Sequence, residues 1–198
     1  MDGPFQKAIA LFDQANSEDP NRTTIDGVEY PNELLYARRM TAWLEKLEPD
    51  APEPLQLAAR CQHIRRWQIP RSAYPMTRAG YHKWRTALYD FHAQTAASLL
   101  QQAGYDSVTI DRVQSLVRKE HLKDDAEMQT LEDVICLVFL ESYFSDFAAK
   151  HDEEKLVKIL QRTWKKMSDR GHEAAFQLKL SDAERKLLEK SLRNCDDG

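Results

Sequence analysis

The sequence predicts an all-α protein, and three observations lead there. Apolar residues recur at spacings of three and four along most of the chain, no alternating pattern longer than four residues marks a strand, and capping or stopping residues bracket the periodic segments. A chain of 198 residues is long enough to bury a core without disulfide or metal staples, so one domain over residues 1–198 is expected. Hydrophobic residues at 42% against 30% charged are too apolar for a disordered chain.

The elements follow in order. Phe5, Ile9 and Phe12 give a short opening helix that stops before Asp19-Pro20. Residues 23–31, which include Gly27, read as irregular. Residues 33–47 place Tyr36, Met40, Trp43, Leu44 and Leu47 on one helical face. Pro49, Pro52 and Pro54 make residues 48–54 a loop. The next helix spans 55–67, with Leu57, Cys61 and Ile64 facing the core. Residues 68–81 hold Pro70, Pro75 and Gly80 and read as a long loop, a feature uncommon in compact domains unless it binds something. A long helix over 83–102 carries Leu88, Phe91, Leu99 and Leu100 and is stopped by Gly104.

Ser107 or Thr109 can cap the following helix, which bears Ile110, Val113 and Val117. Asp125 can cap a helix running to about residue 150, whose centre, 134–140, is apolar all round and therefore central. Residues 153–167 are amphipathic through Leu156, Ile159, Leu160 and Trp164. A break at 168–171 precedes a helix from 172 to about 178. Ser181 and Glu184 form a capping-box signature for a last helix over 182–193. The expected organisation is a helical core over about 33–150 with a C-terminal helical extension over 153–193.

Charge is segregated. The net charge is −4, yet residues 54–89 contain no Asp or Glu and carry Arg60, Arg65, Arg66, Arg71, Arg78, Lys83 and Arg85. That local +7 leaves −11 for the rest and argues for an anionic ligand or an internal acidic surface. Nucleic acid fits poorly, because the protein is acidic and has no long basic stripe. A small phosphorylated ligand fits better. The apolar run 134–140 is far short of the roughly 20 residues of a membrane span. Met1-Asp2-Gly3-Pro4 does not start a signal peptide. Cys61, Cys136 and Cys195 lack metal-finger spacing, so a reducing, cytoplasmic setting is expected. Cys61 and Cys136 fall on core faces as small hydrophobes. No glycine-rich phosphate loop and no nucleophile elbow is present.

Chemistry therefore falls to histidines and carboxylates. His92 shares a face with Leu88, Ala96 and Leu99 and should point inward. His63 lies at the edge of an apolar face beside the basic segment, and His121 ends its helix four residues after Val117. Asp133 shares a face with Leu137, Leu140 and Phe144, and a carboxylate turned into a core needs a partner. Imidazoles and carboxylates from several helices are the usual ingredients of a divalent metal site. Plainer roles compete with each. His92 can be a satisfied core histidine, and His121 can complement a helix dipole. Thr130 to Asp133 can be a capping box. Arg65, Arg66 and Arg71 can pair with the acids of 124–127 or with Glu132 and Asp133.

Two resemblances bear on these residues. The helix order over about 33–143 resembles the HD-domain superfamily of metal-dependent phosphohydrolases. Leu57-Ala58-Ala59-Arg60-Cys61-Gln62-His63-Ile64 resembles the helix carrying that superfamily's His-Asp pair, with Gln62-His63 or His63-Ile64 in place of the doublet. The segments around Phe91-His92, Ile110 to His121 and Leu131-Glu132-Asp133-Val134 resemble the ligand-bearing helices that follow. Tyr36 stands where the first His is usual. Over nearly the whole chain, Arg60-Cys61-Gln62-His63, Arg66-Trp67, Ile69-Pro70-Arg71, Tyr81-His82-Lys83-Trp84-Arg85 and Leu131-Glu132-Asp133-Val134 resemble the family called domain of unknown function 4202.

The superfamily resemblance implies a metal-dependent phosphohydrolase acting on a small nucleotide or other phosphorylated metabolite. It implies a divalent ion (Mn, Fe, Zn, Ni or Co) held by His63, His92 and Asp133, with His121 and Glu132 as lesser candidates. Glu132, if not a ligand, would orient the attacking water, and Arg65, Arg66, Arg71, Lys83 or Arg85 would hold the phosphate. Two other readings stand beside it. One is a non-catalytic helical protein binding an anionic ligand or acidic partner through residues 54–89. The other is an enzyme without metal that uses His63 or His92 as general base. Spare aromatics such as Phe176 on the late helices leave a homodimer contact open.

Overall fold

The structure, a computed structural model, describes residues 3–120 and 124–193. It is all-α apart from one small hairpin. The chain divides after Met128 into two compact units.

The first unit opens with α1 (Pro4–Ser17), which buries Ala8, Phe12, Ala15 and Asn16. Residues 23–31, expected to be irregular, form a hairpin of β1 (Arg22–Ile25) and β2 (Val28–Pro31), with Ile25 opposite Val28. Asp26 and Gly27 both have positive φ, 50° and 80°, the backbone of a two-residue hairpin turn that an Asp-Gly pair favours. Each strand is only four residues long and largely exposed, so no alternation announced it. Asp19 ties the ends of the excursion together. Its carboxylate is buried and accepts from the Asn21 backbone and side-chain amides and from the Glu33 N–H.

Helix α2 (Asn32–Leu47) buries the predicted face of Tyr36, Met40, Trp43, Leu44 and Leu47. Helix α3 (Glu53–Cys61) ends six residues earlier than the periodicity suggests. Ile64 is still fully buried, but Arg65 turns into the left-handed region at φ 52°. The Ile64 C=O and the Arg65 N–H bond to side chains of other elements, described below, and these tertiary bonds override the helical pattern. Single 3-10 turns follow at Arg66–Gln68 and Arg71–Ala73. The expected loop is therefore partly ordered. Arg71 donates to the carbonyls of Tyr74 and Pro75 at 2.9 and 2.8 Å, and the Trp84 indole donates to Ile69 at 2.9 Å.

Helix α4 (Arg78–Ala103) starts five residues before its expected position, with the Thr77 hydroxyl accepting from Gly80 N–H. Gly80, read as a loop residue, lies in the first turn because a Cβ there would stand 2.1 Å from the Pro75 carbonyl oxygen. Gly104 closes α4 as expected. Helix α5 (Ser107–Arg118) is capped by Asp106, not by Ser107 or Thr109; its carboxylate accepts from Thr109 N–H at 2.8 Å. Helices α4 and α5 run against each other, α3 packs on α5 and α2, and α1 packs on α4. Phe12, Met40, Leu44, Leu55, Leu57, Ile64, Leu100 and Leu116 fill the space between them, each worth about 1.5–3 kcal/mol of burial.

Helix α6 (Ala126–Ser142) begins at the expected cap, Asp125, whose carboxylate accepts from the Glu127 and Met128 N–H groups and is gripped by Arg112. The helix breaks at Tyr143, and α7 (Phe144–Ala148) follows where one continuous helix was expected. The second unit continues with α8 (Glu153–Trp164), capped by Asp152, and α9 (Asp169–Phe176), capped by Ser168. Its last helix, α10 (Asp182–Arg193), packs on α8 and starts with the expected capping box, Ser181 and Glu184 exchanging both bonds. No helix among the described residues is long and apolar enough to cross a membrane.

Candidate functional site

The first unit gathers a set of buried and partly buried titratable groups. His92, from the middle of α4, is 2% exposed and pointed inward as predicted. Its Nδ1 lies 2.8 Å from the Ile64 carbonyl oxygen. A carbonyl can only accept, so Nδ1 carries the proton, and the neutral ring keeps its lone pair on Nε2. That Nε2 is buried and has no hydrogen-bond partner among the described residues. An orphaned acceptor in a protein interior is uncommon and costly.

His63, in the turn after α3, lies beside it, with ring centroids 5.9 Å apart. Tyr36 stacks on the other side of His63 at 4.1 Å and 12°. Glu33, in the first turn of α2, brings Oε2 to 3.6 Å from His63 Nδ1, and its side chain is only 14% exposed. Glu33 and Tyr36 are three residues apart, one helical turn, and so share a face.

The electrostatics follow from burial. Desolvation holds both imidazoles neutral. His63 is pushed well below its ordinary value, helped by the positive charges of Arg66, Lys119 and Arg85. His92 is pushed down to about 3 by burial and by His63. Burial also raises the Glu33 carboxyl to about 7; Asp19 adds to this, while Arg66 and His92 oppose it. Two imidazoles with available lone pairs and a carboxyl group are a donor set suited to a borderline divalent ion. The tautomer lock on His92 is the outer-sphere arrangement metal-binding histidines use. Among the described residues no three such donors already converge on one point. In donor type, and in the neutral state of both imidazoles, the residues nevertheless fit such an ion.

Of the predicted basic residues, Arg66 lies closest in effect, since its charge acts on Glu33, His63 and His92 alike. Its guanidinium rests 5.2 Å from the centre of the Trp84 ring. Arg85 donates to the hydroxyls of Tyr81 and Tyr89. Arg65 pairs with Glu18 at 3.2 Å, and Arg71 is spent on loop carbonyls. Lys83 is exposed on α4. The acids at 125 and 127, considered as partners for this segment, pair with Arg112 instead.

A family model matches residues 6–188. The chain belongs to the family described as Domain of unknown function (DUF4202). No curated protein and no solved structure matches this DUF4202 chain.

The remaining predicted residues of the DUF4202 chain are described within their own unit. Asp133 is in the second unit, where its carboxylate accepts from Ser168 N–H at 2.8 Å, from the Ser168 hydroxyl and from Gln129. It thereby anchors the cap of α9. Thr130 is interior to α6, so the capping-box reading of 130–133 does not apply. Glu132 is buried and accepts from Lys166 at 3.2 Å. His121 lies outside the described residues. Cys61 and Cys136 are buried and reduced, and burial pushes the Cys61 thiol up. An open cleft lined by Gly3, Phe5, Glu53, Tyr105 and Asp106 contains none of the predicted site residues.

Sequence reasoning missed Glu33. The one sequence hint is position, because Glu33 opens the same segment whose Tyr36 stands where the superfamily's first His is usual. A carboxylate one turn earlier on that face meets the same imidazole.

Proposed function

We propose that this chain is a divalent-metal-dependent phosphohydrolase acting on a small nucleotide or other phosphorylated metabolite, with Glu33, His63 and His92 as the residues that would hold the ion. The observation that carries this reading is the buried lone pair on His92 Nε2, without a partner among the described residues, beside His63 and Glu33. The helix order, which resembles the HD-domain superfamily, supports it. Bound there, a divalent ion supplies a water of lowered pKa and polarises a phosphoryl oxygen.

The protein's own groups do the rest. The Ile64 carbonyl keeps the His92 proton on Nδ1. Tyr36 holds the His63 ring plane by stacking. The Glu33 carboxyl, raised to about 7 by burial and so partly protonated near neutral pH, would give up that proton to a bound cation. Arg66 and Arg85 stand on the same side of the electrostatic balance, both depressing His63, and their forked donors suit a phosphate. Burial that keeps the imidazoles neutral also makes them weak bases at neutral pH, which favours this reading over a metal-free general base.

The test is a turnover screen of nucleotides and other phosphate monoesters with Mn, Fe, Zn, Ni or Co added in turn. Hydrolysis that falls at least 100-fold in both His63→Ala and His92→Ala, with circular dichroism unchanged, is expected. Arg66→Gln should raise KM more than it lowers kcat. Turnover unaltered in the two histidine variants would overturn the proposal.

A further inference from the structure

We infer that Asn16 is a positioning residue for His92, acting through the single peptide group that joins Ile64 to Arg65. The inference rests on the reading of His92 as a metal-holding residue, but the geometry it uses does not. Asn16, in the last turn of α1, is a polar side chain only 1% exposed. Its Oδ1 accepts from the Arg65 N–H at 3.0 Å. The carbonyl of that same peptide group, Ile64 C=O, accepts from His92 Nδ1 at 2.8 Å. A peptide group is planar, so its N–H and C=O point in opposite directions. Fixing the N–H on Asn16 therefore aims the C=O at His92.

The peptide needs such a hold. It leads into Arg65 at φ 52° and ψ 30°, a left-handed conformation that residues with a Cβ adopt rarely. The turn lies outside α3, so no helical bond orients it. Were the peptide to rotate, Nδ1 would lose its acceptor, and the imidazole proton could move to Nε2. Nε2 would then be an N–H donor, unable to accept a cation. Asn16 thus decides which nitrogen of His92 is free, although it does not touch the ring. A neutral amide does this in a buried position without the desolvation cost of a carboxylate.

The experiment is long-range ¹H–¹⁵N NMR of the His92 ring in the full chain, free of metal, for wild type, Asn16→Leu and Asn16→Asp. Wild type should show the proton on Nδ1 and an unprotonated Nε2. Asn16→Leu should show an Nε2-protonated population, and Asn16→Asp, which keeps an acceptor oxygen, should restore the wild-type pattern. In parallel, Zn²⁺ or Mn²⁺ affinity should fall about 10–100-fold in Asn16→Leu and recover in Asn16→Asp. A folded Asn16→Leu whose His92 keeps the proton on Nδ1 overturns the inference. So does a wild-type protein carrying it on Nε2, which decides the matter even if Asn16→Leu does not fold. Failure of the hydrolytic proposal is seen separately, as absent turnover with the tautomer pattern intact.

Discussion

Glu33→Gln should stabilise the metal-free protein at alkaline pH and leave it nearly unchanged in acid. The wild-type carboxyl titrates near 4.5 when unfolded and near 7 when folded, because burial favours its neutral form. Below about pH 4.5 both states hold the proton, and the group contributes nothing to the pH dependence. Between about 4.5 and 7 only the folded state holds it, so stability falls as pH rises through that window. Above 7 the folded protein carries a poorly solvated carboxylate whose cost, at roughly 1.4 kcal/mol per pH unit of separation, is about 3 kcal/mol. Glutamine keeps the shape of the protonated acid and has nothing to ionise. The Glu33 backbone bond to Asp19 is untouched by the change. A lost favourable term between the Glu33 carboxylate and the start of α2 offsets about 0.5 kcal/mol of the gain. His63 and His92 are depressed in both proteins and add stability as pH rises, so comparing the variant with wild type removes most of their slope. Urea unfolding at pH 5 and pH 8, with chelator present, is the assay. A gain of about 2–3 kcal/mol at pH 8 that shrinks below about 1 kcal/mol at pH 5 is expected. A variant equally or less stable than wild type at pH 8 would refute the burial argument for Glu33.

Two further substitutions separate structural from site roles. Gly80→Ala should lower stability by about 2 kcal/mol, read by thermal or urea unfolding, because its Cβ meets the Pro75 carbonyl; a neutral effect would contradict the close approach of that loop to α4. Asp133→Ala should cost about 3 kcal/mol by removing the acceptor of the Ser168 N–H and hydroxyl, while metal affinity stays within about twofold. Loss of metal binding from a folded Asp133→Ala protein would instead make Asp133 a ligand.

The helical architecture was legible because its signals are local. Periodic apolar faces, Asp125 as a cap, Gly104 as a stop and the Ser181–Glu184 box each act within a few residues. The departures occur where distant groups decide. Helix α3 stops short because the Ile64–Arg65 peptide bonds to His92 and Asn16, far along the chain in either direction. Helix α4 starts early because Gly80 accommodates the Pro75 carbonyl. The hairpin was carried by a two-residue turn between strands too short and too exposed to show a period. For the site, inward-facing His92 could be read from its helical face, while its pairing with His63 was only implied by a resemblance, and the structure sets the two rings 5.9 Å apart. Glu33 could not be weighted, since a glutamate in a first helical turn is ordinarily a dipole partner in water. Only the packed structure shows it buried against an imidazole.

The central claim is that Glu33, His63 and His92 hold a divalent ion, and metal content tests it most directly. The chain would be purified without chelator or histidine tag and analysed by mass spectrometry for Mn, Fe, Zn, Ni and Co, beside His92→Ala and Glu33→Ala proteins verified as folded. Near-stoichiometric metal in wild type that falls in both variants is the expected result. A folded wild-type chain that takes up none of these ions, even after reconstitution with each in turn, would contradict it.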